Sequence, residues 1–133
     1  MNLLSKEIIV VAIGGALGSV ARFLLSRCVQ VFIPYENLPW GIIAVNILGC
    51  FLIGILYALF QYHLLLNPVW RAGLLIGVLG GFTTFSSFSL DTVTLLQKGA
   101  YFFALSNVFI SVMVCLLATI VGMWSVMVFL ASQ

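Results

Sequence analysis

The chain has 133 residues, of which 64% are hydrophobic and 6% are charged, and its formal net charge is +2. So few charged groups cannot cover a water-soluble globule of this size, which excludes a soluble domain and indicates that lipid is the solvent. We expect no nucleic-acid partner.

Four apolar segments predict membrane spans, at residues 8–32, 40–62, 72–96 and 101–130. Each is long enough, because an apolar helix of about 20 residues crosses a bilayer. The connections are short, which favours antiparallel neighbours, so we expect one all-α membrane domain over residues 1–133. The first segment runs on into further spans without a cleavage pattern, and we expect it to be retained.

Positive charge near the span ends sets the orientation of a membrane protein, and here it is nearly balanced. Lys6 and Arg71 lie on one predicted side, Arg27 and Lys98 lie on the other, and Arg22 is near a boundary. The balance predicts insertion in both orientations, so that up and down copies can pair as an antiparallel two-fold dimer. A single orientation set by other factors is the alternative.

Small residues recur at four-residue spacing on three predicted spans, and this spacing lets helix backbones approach closely in lipid. They are Gly14 and Gly18, then Cys50, Gly54 and Ala58, then Gly73, Gly77 and Gly81. We interpret most of them as packing positions.

The three cysteines, Cys28, Cys50 and Cys115, lie on different spans and have no CxxC spacing. Neither a disulfide framework nor a zinc site is predicted. Small buried or lipid-facing thiols are the interpretation we prefer.

The third span contains the pair Gly80-Gly81, followed by five hydroxyl residues within the seven positions 83–89. Such a sequence forms poor helix in hydrocarbon, so we predict a break whose freed carbonyls can coordinate Na⁺ or a similar hard cation. Hydroxyls that bond back to the preceding turn and bend an unbroken helix are the alternative.

Other polar groups inside the spans are few. Asn46 lies in the second span, while Asn107, Ser111 and Cys115 share one face of the fourth. They form a predicted ladder of weak polar groups. Single interhelical hydrogen bonds are the alternative, which we prefer for Cys115.

No Asp, Glu, Lys or His lies in the central part of any predicted span, since Asp91 and His63 fall near span ends. A proton-coupled transporter needs a titratable relay inside the membrane, and an enzyme needs an activated nucleophile or a metal. We therefore predict that the chain is not an enzyme, and we interpret His63 as a solvated loop residue.

Amides, hydroxyls and phenyl edges offer hydrogen-bond donors and weakly positive surface, which suits a small anion. Phe85 and Phe88 are three residues apart, so they share a face in any helical turn and their edges can flank an ion. Plain packing is the alternative. Arg22 can draw anions into a vestibule or can contact lipid phosphate.

Three segments of this sequence resemble the Fluc (CrcB) fluoride channels, and the resemblance extends over essentially the whole chain. They are residues 14–23, residues 46–49 with Gly54, and residues 77–89, of which the last is the most specific. The resemblance implies passive fluoride export through a dual-topology antiparallel homodimer in the bacterial cytoplasmic membrane. It also implies two pores built from both subunits and a structural sodium ion on the dimer axis.

Carried over by position, the resemblance implies roles for particular residues. The backbone carbonyls of Gly80 and Thr83 would hold sodium, Arg22 would belong to the vestibule, and the fluoride pore would be lined by Asn46, Phe85, Phe88, Asn107 and Ser111. Some positions depart from the family pattern: Ile42 and Ser87 replace Thr, Asn107 replaces Tyr, Asp91 replaces Glu, and Cys115 replaces a hydroxyl residue. Because Asn107 keeps a donor, we expect permeation to survive.

Two other functions remain alternatives. A small multidrug transporter is also a four-span dual-topology dimer, but it should carry a Glu inside its first span, whereas Glu7 precedes the predicted span. A structural or holin-like subunit does not explain why hydroxyl residues gather behind Gly80-Gly81.

Overall fold

The computed structural model describes residues 2–33, 37–62 and 67–132, and every regular element in these ranges is helical. Four helical stretches are long and apolar enough to cross a membrane: Leu3–Phe32, Trp40–Gln61, Pro68–Gln97 and Tyr101–Ala131. The prediction of an all-helical chain with four membrane-spanning segments is confirmed. His63 lies outside the described residues.

The third span, Pro68–Gln97, is made of several pieces, while the other spans are each one helix. In chain order the elements are α1 (Leu3–Phe32), α2 (Trp40–Gln61), α3 (Pro68–Arg71), a π-helical segment (Ala72–Leu79), α4 (Gly80–Phe82), α5 (Phe85–Gln97) and α6 (Tyr101–Ala131). Between α4 and α5, Thr83 and Thr84 have extended backbone, with ψ angles of 158° and 116°. The helical hydrogen-bond ladder therefore stops and restarts within this span.

Two helices begin earlier than the sequence predicted, because side-chain caps extend them. The Asn2 side chain accepts a hydrogen bond from the Ser5 backbone N–H at 2.8 Å, so α1 begins at Leu3 instead of residue 8. Asn67 accepts from the Val69 N–H at 2.9 Å, and Pro68 occupies the first position, where its missing N–H is not needed. The third span therefore begins at residue 68 instead of 72.

The helices pack mainly as two pairs, α1 against the first half of the third span and α2 against α6. Glycines make both contacts close. A Cβ on Gly18 would lie 2.1 Å from the Val78 carbonyl oxygen, and a Cβ on Gly54 would lie 2.2 Å from that of Thr119. The prediction that the four-residue spacing serves helix packing is confirmed at these positions, where the backbones leave no room for a side chain.

Large apolar side chains cover much of the outer surface, particularly on α1 and α6. A water-soluble protein would bury most of them, whereas lipid solvates them without penalty. Together with the four span-length helices, this surface identifies a multi-pass membrane protein.

Candidate functional site

The Asn46 side chain on α2 forms hydrogen bonds with the backbone of Thr84, which lies at the interruption in the third span. Its Oδ1 accepts a hydrogen bond from the Thr84 N–H at 2.8 Å, and its Nδ2 donates to the Thr84 carbonyl at 3.0 Å. Thr84 is buried, with 7% of its surface exposed. Leaving either backbone group unpaired there would cost about 1–3 kcal/mol. One amide thus stabilises the non-helical conformation on both sides of the residue.

The Thr84 side chain begins the second half of the span. Its hydroxyl caps α5 by accepting from the Ser87 N–H at 3.2 Å, and it also contacts the hydroxyls of Ser86 and Ser87, each at 3.1 Å. By contrast, the Thr83 hydroxyl donates to the Leu79 carbonyl at 2.9 Å, which is the back-bonding that we considered as an alternative. The hydroxyl cluster therefore both ends one helix and starts the next.

Arg22 of α1 extends to the same interruption. Its Nη1 donates to the Thr83 carbonyl at 3.3 Å, and the neighbouring Ser19 hydroxyl lies 3.5 Å from the Gly81 carbonyl. Arg22 lies ten residues before the end of α1 at Phe32, about 15 Å along the axis. Its guanidinium satisfies a carbonyl that the interruption frees, and it places a positive charge there.

A cavity of about 410 Å³ opens beside the interruption, between α2, α6 and the third span. Its wall combines polar groups and phenyl rings: Asn46, Cys50, Thr83, Thr84, Phe85, Phe88, Ser111, Cys115 and Thr119, together with Gly80 and apolar residues. The rings of Phe85 and Phe88 have centroids 5.3 Å apart and are tilted by 50°. Phe85 is 78% exposed, so this wall also forms part of the surface of the chain.

Most of the predicted site residues meet at this cavity, namely Asn46, Gly80, Thr83, Phe85, Phe88 and Ser111. Asn107 is not on its wall. That side chain is fully buried, donates from Nδ2 to the Thr92 hydroxyl at 2.8 Å, and accepts from Ser111 at 3.4 Å. The Asn107 amide links α6 to α5 through its hydrogen bond to Thr92, and it is the acceptor for the Ser111 hydroxyl on its own helix. The pore-lining, vestibule and sodium-binding roles of all these residues stay predictions.

Thr84 and Gly49 also contribute to this site, although neither residue was singled out from the sequence. Thr84 supplies the cap and the two backbone partners of Asn46, and its only sequence signal was membership of the hydroxyl cluster. The absence of a side chain at Gly49 leaves room for the Thr83 side chain, because a Cβ on Gly49 would lie 2.2 Å from the Thr83 Cγ2 atom. No local pattern in the sequence distinguishes Gly49 from the other packing glycines.

Residues 9–123 match the family model described as "CrcB-like protein, Camphor Resistance (CrcB)". The matched range includes most of each of the four spans. The chain belongs to the CrcB family.

Its relatives include three proteins that are each called "Fluoride-specific ion channel FluC". The protein from Magnetococcus marinus is 44% identical over 113 residues, which cover 85% of this chain and 91% of the relative. The Geobacter sulfurreducens protein is 45% identical over 115 residues, covering 86% and 92%. The Leptospira interrogans protein is 39% identical over 122 residues, covering 92% and 95%. The similarity thus extends over nearly the full length of each relative.

Proposed function

We propose that this chain forms a fluoride-selective channel, which lets fluoride leave the cell passively down its electrochemical gradient and so relieves fluoride toxicity. The observation that carries the proposal is the cavity beside the interrupted third span, whose largely apolar wall carries an amide, hydroxyls and phenyl rings, in a chain related over most of its length to fluoride-specific channels. Among the described residues, the cavity wall includes hydroxyls, thiols, an amide and phenyl rings, but no acidic or basic side chain. We place the channel in the bacterial cytoplasmic membrane.

Selective conduction requires donors that replace the water shell of fluoride without holding the ion too firmly. Asn46 uses one Nδ2 hydrogen for Thr84, and an amide nitrogen carries a second. The Ser111 hydroxyl lies 3.4 Å from its Asn107 acceptor, which is a long and weak bond, so its proton can turn toward a passing anion. The edges of Phe85 and Phe88 add weakly positive surface without a fixed charge.

We infer that the working unit is an antiparallel homodimer with two pores built from both subunits. In a single chain, Gly80, Ser86 and Ser89 are exposed close to the interruption, next to the 78% exposed ring of Phe85. Polar side chains and non-helical backbone are unfavourable against hydrocarbon, and a second copy over this face would remove them from lipid. The nearly balanced charge at the span ends supports pairing of opposite orientations.

The residues near the interruption also fit a structural sodium ion on the dimer axis. In an uninterrupted helix the Thr84 N–H would bond to the Gly80 carbonyl, but here it bonds to Asn46. The Thr83 carbonyl accepts from Arg22, and a carbonyl oxygen has a second lone pair. Carbonyl oxygens are suitable ligands for a hard cation, and bound sodium would hold the two copies together through Gly80 and Thr83.

Replacing sodium with N-methyl-D-glucamine throughout purification should lower the dimer fraction and the fluoride flux. The organic cation is too large for a site made of backbone carbonyls. Cross-linking in detergent and fluoride efflux from liposomes measure the two effects, and returning sodium should reverse them. Equal dimer fractions and equal flux in both cations would remove sodium from the proposal.

Expression of this chain in a bacterial strain that lacks its own fluoride exporter should restore growth in millimolar fluoride. Passive export lowers the internal concentration that builds up after hydrogen fluoride enters and ionises. The matched control is the same chain with Phe88→Ile, at an equal amount in the membrane. If the unaltered chain reaches the membrane but gives no more resistance than an empty vector, the proposed function is contradicted.

A further inference from the structure

Two thiols lie side by side on the wall of the cavity. Cys50 projects from α2 and Cys115 from α6, and both side chains line the cavity. The third cysteine, Cys28, lies on α1, is exposed, and is not part of this wall. The proposed fluoride pathway does not require a thiol, so it does not explain why Cys50 and Cys115 both lie on this wall.

The parallel register of α2 and α6 brings the two cysteines together. Gly54 and Thr119, which are 65 positions apart, meet where the two helices cross, and the same offset in a parallel pair places Cys50 opposite Cys115 and Asn46 opposite Ser111. The backbones are close at the first of these pairs, where a Cβ on Gly54 would lie 2.2 Å from the Thr119 carbonyl. This close crossing, one turn away, fixes the two thiols opposite one another.

Two adjacent thiols on neighbouring helices are a suitable ligand set for soft metal ions that accept two sulfurs in a line. Soft thiolate ligands select ions such as Cu⁺ over hard cations. Metal–thiolate bonds are about 2.3 Å long for zinc, so a linear bridge spans about 4.6 Å, which side chains at opposing positions on two packed helices can reach.

We propose that Cys50 and Cys115 form a binding site for one two-coordinate thiophilic metal ion, such as Hg²⁺, Ag⁺ or Cu⁺, and that the bound ion blocks the pathway. On binding, the two S–H bonds break, two sulfur–metal bonds form, and two protons are released, without oxidation or reduction. The blocking rests on the proposed channel function, because the thiol pair lies one helical turn from Asn46 and Ser111 on the same wall. The two thiolates neutralise Hg²⁺ and leave Ag⁺ or Cu⁺ with a net negative charge, so the bound ion would block the path by narrowing it and would not attract fluoride.

The test uses Hg²⁺ as the probe and the full-length chain with Cys28→Ala, which removes the exposed thiol but keeps the pair. Excess glutathione is present, because it strips mercury from a single thiol but competes poorly with a chelating pair. Intact mass spectrometry should show one mercury per chain with the loss of two protons. Adding Cys50→Ala or Cys115→Ser should weaken mercury binding by about 100-fold.

Fluoride efflux from liposomes is then compared with and without Hg²⁺ for each variant separately. The flux of the paired-thiol chain should fall at least about tenfold and recover with a dithiol chelator, whereas each single-thiol variant should keep its own mercury-free rate. Two mercury ions per chain, or equal binding by the single-thiol variants, would overturn the site. One bound mercury with unchanged flux would overturn the block. The mass measurement does not depend on fluoride flux, so it tests the site even if the chain conducts no fluoride.

Discussion

Replacing either Phe85 or Phe88 by Ile should reduce fluoride flux severalfold, up to about tenfold, while the dimer stays assembled. Isoleucine keeps an apolar side chain but has no ring edge. Contacts between pairs of aromatic rings are worth about 0.5–1.5 kcal/mol, and we take this range as the scale for a ring edge beside an ion. The upper end of that range corresponds to about tenfold in rate when it is lost from the barrier. Both rings lie on the cavity wall, with centroids 5.3 Å apart.

Efflux from liposomes measures the rate, and cross-linking before reconstitution measures the dimer. Phe109→Ile is the matched control, because Phe109 is 67% exposed on α6 and is not on the cavity wall. That control should conduct at close to the original rate. Unchanged flux in both the Phe85 and Phe88 variants would count against the ring-edge role, and loss of the dimer would show that the rings serve assembly.

Asn46→Leu should give the second large effect, a strong loss of thermal stability together with loss of flux. Leucine has nearly the same shape but cannot pair with the Thr84 N–H and carbonyl, which Asn46 now bonds at 2.8 and 3.0 Å. Each buried backbone group left unpaired costs about 1–3 kcal/mol. The third span then has to rebuild its helix through Thr83 and Thr84 or admit water.

Asn107→Leu is the control for that substitution, since Asn107 is also an amide within a span and is fully buried, whereas Asn46 is half-buried. Its partners are the hydroxyls of Thr92 and Ser111, which can rotate toward other acceptors. The expected loss in midpoint of thermal unfolding, followed by tryptophan fluorescence in detergent, is smaller for Asn107→Leu than for Asn46→Leu. Equal losses would mean that the hydrogen bonds between Asn46 and Thr84 contribute no more to stability than those of Asn107.

The main features that sequence reasoning predicted were those encoded locally. Long apolar segments predict spans because the bilayer fixes their length. Gly18 and Gly54 follow the four-residue spacing that keeps one helix face free of large side chains, so that another helix can approach closely. The position of the polar cluster in the third span also follows directly from its hydroxyl residues. Two helices begin before the approximate spans predicted from hydropathy, with side-chain caps at Asn2 and Asn67.

The contacts that organise the site are tertiary and could not be predicted from local pattern. Asn46 and Thr84 are 38 positions apart, and Arg22 and Thr83 are 61 apart, so their pairing depends on how three spans pack. The spacing that placed Asn107 on the same helix face as Ser111 also did not show whether its amide meets the cavity or a neighbouring helix. The dimer and the sodium ion involve groups from a second copy, and they stay predictions.

The most direct test of the central claim is a comparison of fluoride and chloride efflux from liposomes that contain only the purified chain in sodium. A donor-lined path beside the interrupted third span should carry fluoride rapidly and leave chloride inside the vesicles. Folded protein that releases neither ion, or that releases both at similar rates, would contradict the account.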